Sequence, residues 1–343
     1  MENRRENPST DNDIVVSSRL RLARNMKKFP FPTIKDPLSG KKIIGEVFQS
    51  IAVAMKENEK VFRRKEIKDL TEIQRLQMME KHLISPQLAN NYETGAVVHN
   101  EEETLIIMIN EEDHIRIQSL LPGLQLEETL IQANQIDDVI EEQIDYAFDE
   151  KFGYLTACPT NVGTGMRASV MLHLPALSMS DQIHGMLQFA NKIGLAVRGV
   201  YGEGSDFIGN LYQISNQVTL GVSEEEIIEK LKEVTLQIIN KERVYREDLI
   251  KEHGVEIADQ VFRSLGILKT ARVVSLEEGM KLLSDVQLGS SLGLLNNLEI
   301  TWIHQLITLI QPGSLQSDVG KELDSKAQNI HRASLLRSKF GNH

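Results

Sequence analysis

A chain of 343 residues can hold one large or two ordinary domains, each with its own core. Hydrophobic residues make up 41% and charged residues 25%, which excludes a disordered chain; a formal net charge of −11 speaks against nucleic acid, whose phosphates call for a basic footprint. The single cysteine cannot close an internal disulfide, the start MENRRENPSTDND lacks the apolar stretch of a signal peptide, and no apolar run is long enough for a bilayer. The expectation is a cytoplasmic protein with no membrane partner.

Ile14-Val15-Val16 reads as a strand leading into Ser17–Arg24. There Arg19 and Arg21 share one face and Leu20 and Leu22 the other. A solvated edge would explain three arginines in six residues, but two guanidinium forks on one face also suit a polyphosphate. From Lys41 to Lys60, apolar Ile44, Val47, Phe48, Ile51, Ala54 and Met55 predict an amphipathic helix. The stretch from Met78 to Asn90 predicts the end of another, before Pro86. Ala96–Asn100 and Thr104–Ile109 predict paired strands around an acidic turn. The all-apolar Leu105–Ile109 would be buried on both faces and would deliver Asn110–Arg116 to the rim of a sheet. Leu126 to Phe148 reads as one long core-packing helix.

Tyr154–Ala157 predicts a short strand ending at Cys158. Pro159, Gly163 and Gly165 then force a tight loop, with Arg167 ahead of a second strand from Ala168 to Leu174. A helix is expected from Ala176 to Ile193, capped by Gly194, then a strand Leu195–Arg198 that breaks at Gly199, Gly202 and Gly204. The Gly-x-Gly around Glu203 has the wrong spacing for a dinucleotide fingerprint, and there is no Walker A motif. Tyr212–Ser215 predicts a last strand. Beyond it the pattern becomes helical: capping boxes at Ser223/Glu226 and Ser275/Glu278 open helices to about Arg243 and Leu288. Leu294–Ile310, with Trp302, and Ser325–Arg337 follow. The boundary is expected near Gly221, dividing the chain into 1–221 and 222–343.

The loop CPTNVGTGMRASV resembles the cysteine loop of the phosphagen (guanidino) kinases. SSRLRLAR (Ser17–Arg24), NEEDHIRI (Asn110–Ile117), VRGVYGEG (Val197–Gly204) and YQISNQVTLG (Tyr212–Gly221) match the same family in the same order. The variants, VYGEG among them, look most like the bacterial protein arginine kinases. The resemblance implies an α+β fold: a catalytic domain with a mainly antiparallel sheet flanked by helices, then an all-helical C-terminal domain.

For ATP, the resemblance implies contacts from Ser17, Ser18, Arg19, Leu20, Arg21, His82, Arg116 and Arg167. It adds Ala168, Ser169, Val170, Met171, Arg198, Gly199, Val200, Tyr201, Gly202 and Glu203. Arg19, Arg21, Arg116, Arg167 and Arg198 map onto the phosphates. Met171 stands where these kinases often carry a second adenine-side histidine, and for His82 a plain surface histidine stays open. Mg²⁺ would be held chiefly by phosphate oxygens and water.

A guanidinium, with a pKa above about 12, must lose a proton before its nitrogen can attack. The resemblance gives that task to carboxylates Glu112 and Glu203, with Cys158 as a thiolate partner that orients the guanidinium. Either glutamate could be the base; the first assignment is Glu112. Phosphagen kinases carry an N-terminal helical domain that closes over a small substrate, whereas sixteen residues precede Ser17 here. The implied substrate is therefore arginine on a protein, marked for Clp-type proteolysis in stress-linked quality control, with a small zinc-binding activator as partner and a homodimer as one open arrangement. A small-molecule guanidino kinase and a catalytically silent adaptor are the alternatives. The family's phosphoarginine-reading motif, Arg-Asp-x-x-Arg-Ala, survives only as Arg332-Ala333 within Gln328–Ala333.

Overall fold

The computed structural model describes residues 11–32, 36–58, 62–91, 93–199, 208–296 and 298–341. The strands are β1 (Val15–Arg24), β2 (Phe62–Glu66), β3 (Ala96–Asn100), β4 (Leu105–Ile109), β5 (Ile115–Pro122), β6 (Phe148–Asp149), β7 (Gly153–Tyr154), β8 (Met166–His173), β9 (Leu195–Gly199) and β10 (Leu211–Asn216). Among the described residues, eight of them form one sheet in the order β2-β3-β4-β5-β1-β8-β10-β9, antiparallel at each junction. The helices are α1 (Pro37–Asn58), α2 (Glu72–Glu80), α3 (Pro86–Asn90), α4 (Leu126–Glu141), α5 (Pro175–Met179), α6 (Ile183–Lys192), α7 (Glu224–Thr270), α8 (Leu276–Ser291), α9 (Ile300–Leu309), α10 (Pro312–Val319) and α11 (Ser325–Phe340). The fold is α+β, with the sheet ending at β10 and an all-helical region from α7 onward.

Alternation in the strands sorts side chains between two layers. Leu20 and Leu22 of β1, Ile107 and Ile109 of β4, and Ala168 and Val170 of β8 face a core shared with α1, α4, α6 and the first half of α7. Each fully buried leucine contributes about 1.5–3 kcal/mol, so a one-residue slip of β1 would cost this face its leucines and bury its arginines. The opposite face is covered unevenly. Near β3 and β4, α2 and α3 seal it with Ile67, Leu88, Ile106 and Met108. Beyond β8 and β10 it meets a third apolar cluster built by the second half of α7 with α8, α9 and α11. The uncovered middle is where the arginines project.

Several boundaries differ from those expected, each for a local reason. Helix α4 stops at Glu141, yet Ile144 and Tyr146 stay buried, because the chain turns back along Asn25 and Tyr146 donates to Asp137. The apolar pattern therefore outlives the helix. Pro86 begins α3 at its N-terminus, where its missing N–H costs nothing, while α2 ends at Glu80. Asp181, in the left-handed region at φ 55°, splits the expected helix into α5 and α6. Helix α7 runs on to Thr270, bent at His253. Its charged middle is partly internal: Glu242 pairs with Arg246 at 2.8 Å and accepts the free N–H groups of Ala176 and Leu177. The strand before the cysteine is only Gly153–Tyr154, and α10 was not foreseen. Both capping boxes are present.

Candidate active site

Four strands put five arginines on the open face. Register sets Arg21 of β1 opposite Gln118 of β5 and Arg167 of β8, and sets Arg198 of β9 opposite Gln213 of β10. Arg116, on β5, faces Met108. Gln213 accepts a 2.8 Å hydrogen bond from Arg19. Arg116 is gripped by two carboxylates, Glu111 at 2.6 Å and Glu112 at 3.0 Å. Arg19 and Arg21 nevertheless feel the positive charge of their neighbours. Burial, with Arg116 nearby, pushes Arg19 down to about 10. Burial, then Arg19, Arg116 and Arg167, pushes Arg21 well below its ordinary value, and Arg167 is lowered by burial and Arg198. The buried Nε of Arg21 has no hydrogen-bond partner among the described residues. Guanidiniums held in this way call for an anion.

Two cavities meet at these side chains. One, of about 630 Å³, is floored by Arg19, Arg21, Arg116 and Arg198, and its walls include His82, Gly199 and apolar Met79, Ile84 and Met108. The other, of about 400 Å³, joins Arg21, Arg116, Arg167 and Arg198 to Glu112 and Cys158. Arg21, Arg116 and Arg198 line both. A phosphate chain lying across them would have a mainly apolar recess at one end and a carboxylate and a thiol at the other.

The acceptor side is built by two loops fastened together. Asp113 accepts from Asn25 and from the Ala157 N–H, both at 2.6 Å, which holds the chain next to Cys158 against the Asn110–His114 turn. Burial raises its carboxyl group. His114 takes the Met26 N–H on Nδ1, so its Nε2 donates to the Pro30 carbonyl. Cys158 is half-buried, with Sγ 3.0 Å from the Thr160 hydroxyl. The loop needs its glycines: Gly163 sits at φ 114°, and a Cβ there would lie 2.1 Å from the Thr219 carbonyl oxygen.

His82 stands at φ 60°, its carbonyl accepting from Gln118 at 2.7 Å. Burial, then Arg19 and Arg21, pushes it down to about 3, which keeps the imidazole neutral beside the arginines. His304 of α9 is pushed down to about 4 by burial. Both histidines are held neutral in the fold but take a proton in the unfolded chain below about pH 6.5. Stability is therefore expected to fall as pH drops from about 6.5 toward 4, by about 1.4 kcal/mol per pH unit for each. Urea midpoints at successive pH values test this, and His304→Gln should flatten the slope by about one proton; an unchanged slope would count against it.

Of the residues expected at the nucleotide, Ser17, Ser169 and Met171 lie on the arginine face, with Ser169 opposite Arg19 and Met171 opposite Ser17 and Gln213. Met171 packs against the helical cluster. The side chains of Leu20, Ala168 and Val170 point into the core on the other face. Ser18 also turns away, its hydroxyl bonded to the Gly123 carbonyl and the Gln125 N–H. Val200, Tyr201, Gly202 and Glu203 lie outside the described residues. Sequence reasoning passed over Glu111 and Gln213, which position arginines, and Asp113, which joins the loops. Glu111 and Asp113 flank Glu112 in a run of acids, and nothing in that run says which one faces inward. Arg332, from the degenerate motif, is buried and donates to the Ile310 and Val274 carbonyls.

An arginine-floored cleft of this kind suits a phosphate chain, and comparison with known proteins gives the family. The family model for the C-terminal catalytic domain of ATP:guanido phosphotransferases matches residues 42–245, and that for the protein-arginine kinase McsB C-terminal domain matches 254–343. A protein-arginine kinase of Caldanaerobacter subterraneus subsp. tengcongensis is 50% identical over 96% of this chain and 98% of its own. One from Geobacillus sp. is 50% identical over 96% and 91%. Among solved structures, a lombricine kinase superposes with a TM-score of 0.58 at 25% identity, over 68% of this chain and 67% of its own. The duplicated taurocyamine kinase of Schistosoma mansoni gives 0.59 at 28% identity; 67% of this chain is covered, and it spans about a third (33%) of that one. The chain belongs to the protein-arginine kinases of the ATP:guanido phosphotransferase family. No described helix is long and apolar enough to cross a membrane.

Proposed function

We propose that this protein transfers the γ-phosphoryl group of ATP to the guanidinium of arginine side chains on other proteins. The observation that carries the reading is the sharing of Arg21, Arg116 and Arg198 between an apolar recess and a carboxylate–thiol cleft. The phosphates lie over these arginines and Arg167. Glu112 and Cys158 hold the acceptor guanidinium so that one nitrogen points at the γ-phosphorus. That nitrogen attacks, its proton goes to Glu112, and the bond from phosphorus to the β–γ bridging oxygen breaks to leave ADP. Catalysis then rests on positioning and charge neutralisation. Glu203 supplies a second carboxylate in this scheme. Mg²⁺ would be held chiefly by the nucleotide's phosphate oxygens and water.

Protein-borne arginine is favoured by relatives that are named protein-arginine kinases along almost their whole length, and by the net charge of −11, which steers basic segments toward the surface. A division into a catalytic part, 1–221, and a helical substrate or partner part, 222–343, belongs to the same reading. So do a cytoplasmic location, a zinc-binding activator, a homodimer and delivery of marked proteins to Clp-type proteolysis. The first test is labelled ATP with a basic protein followed by acid, which cleaves a phosphoramidate and spares serine and threonine esters. Free arginine at millimolar concentration is expected to inhibit little and to acquire no label, because contacts beyond the guanidinium position the reacting nitrogen. Efficient turnover of the free amino acid would instead point to a small-molecule guanidino kinase.

A further inference from the structure

A third cavity, of about 580 Å³, opens beside the acceptor turn, and among the described residues no arginine or lysine lines it. Its walls include Pro30 and Pro32 after β1, the start of α1, Gln87 and Asn90 of α3, and Asn110 and Glu111, the two residues before Glu112. We infer that this cavity holds the stretch of polypeptide next to the target arginine of a protein substrate, and that it favours a basic residue there. The inference rests on the reading that Glu112 and Cys158 receive an arginine borne on a protein. Glu111 borders this cavity and Glu112 borders the acceptor cleft, so the two sites share one turn. An extended chain advances about 3.3–3.6 Å per residue, so a few residues beside a bound arginine lead from one site to the other.

The lining suits a peptide. Gln87 and Asn90, three residues apart on α3, present neighbouring amides that have no partner among the described residues. Each amide can donate to a substrate carbonyl and accept a substrate N–H. The prolines offer apolar rings without an N–H of their own. Of the carboxylates at the cavity, Asp36 caps α1, accepting from the Leu38 N–H and the Ser39 hydroxyl, and Glu111 is taken by Arg116 and Ser85. Glu93, exposed and with no ion pair among the described residues, is left for a cation on the substrate. The site is also built in advance. Asn110, in the left-handed region at φ 58°, donates to the Gly40 carbonyl at 2.9 Å and the Thr94 carbonyl at 2.8 Å, and its own carbonyl accepts from Asn91 at 2.8 Å. These bonds tie α1, the turn after α3 and the acceptor turn together, so a segment seated in the cavity is fixed relative to Glu112.

The experiment measures kcat and KM of the full-length protein, at saturating Mg·ATP, on three synthetic peptides. Each carries one arginine in a Gly/Ser sequence: one is otherwise neutral, one has lysines before the arginine, and one has lysines after it. One of the lysine peptides is expected to show a KM about tenfold below that of the neutral peptide. Glu93→Gln, a surface change that spares the fold, should narrow that gap to about twofold. Glu252→Gln removes the same charge from an exposed position on α7 and should leave the gap as it was. A double variant, Gln87→Ala with Asn90→Ala, should raise KM a few fold for all three peptides without moving the KM for ATP. A lysine preference that survives Glu93→Gln, or that Glu252→Gln erodes equally, overturns the inference and assigns the preference to the overall charge of −11. Absence of label on every peptide is a different result: it removes the protein-arginine reading, and the inference falls with it.

Discussion

Glu112→Gln is expected to lower turnover by about 10²–10⁴-fold while ATP binds as before. The substitution keeps the shape of the side chain and removes the proton acceptor. It also removes one of the two carboxylates on Arg116, but Glu111 holds that guanidinium independently at 2.6 Å and is itself braced by the Ser85 hydroxyl. The phosphate floor therefore stays in place. Single-turnover rates and ATP calorimetry on the same preparation separate the two effects. Loss of ATP affinity matching the loss of rate would mean that Glu112 serves the nucleotide, and the base would have to be sought elsewhere.

Arg21→Ala should have effects of opposite sign on binding and on stability. ATP affinity falls by about 10- to 100-fold, since a charged donor at the junction of the two cavities is lost. The ligand-free protein, by contrast, becomes more stable, with Tm rising by about 1–3 °C. The reason is that Arg21 is desolvated among Arg19, Arg116 and Arg167 with no partner for its Nε among the described residues, so its charge opposes folding until an anion arrives. Its removal leaves no sealed void, because the side chain borders an open recess. A destabilised variant with intact ATP binding would show that Arg21 is a structural residue.

The strand-borne half of this site was legible in the sequence because strands report their own geometry. Alternation of Arg19 and Arg21 with Leu20 and Leu22 states which face is wet, and the unbroken apolar run of β4 states that it lies under both layers. Chain reversals were less visible: the Tyr146 region is as apolar as a helix face, and α7 hides a buried ion pair inside what reads as a solvated, helix-ending stretch. The residues that orient others, Gln213 on Arg19 and Asp113 on the cysteine loop, carry no local signature because their partners are far off in the chain. The part that Ile307–Pro312 takes in the recess was invisible for the same reason: nothing in that stretch records what it packs on.

Asp113 has a consequence for how the enzyme can be tuned. One buried carboxylate accepts from both Asn25 and Ala157, so the loop bearing Cys158 and the turn bearing Glu112 are held to a common point. The arginine-floored recess is walled from two regions of the chain, the sheet with α2 and the helical region at α9–α10, which pack on each other. A change in the helical region can therefore reshape the recess while the Cys158 loop and the Glu112 turn stay held as they are.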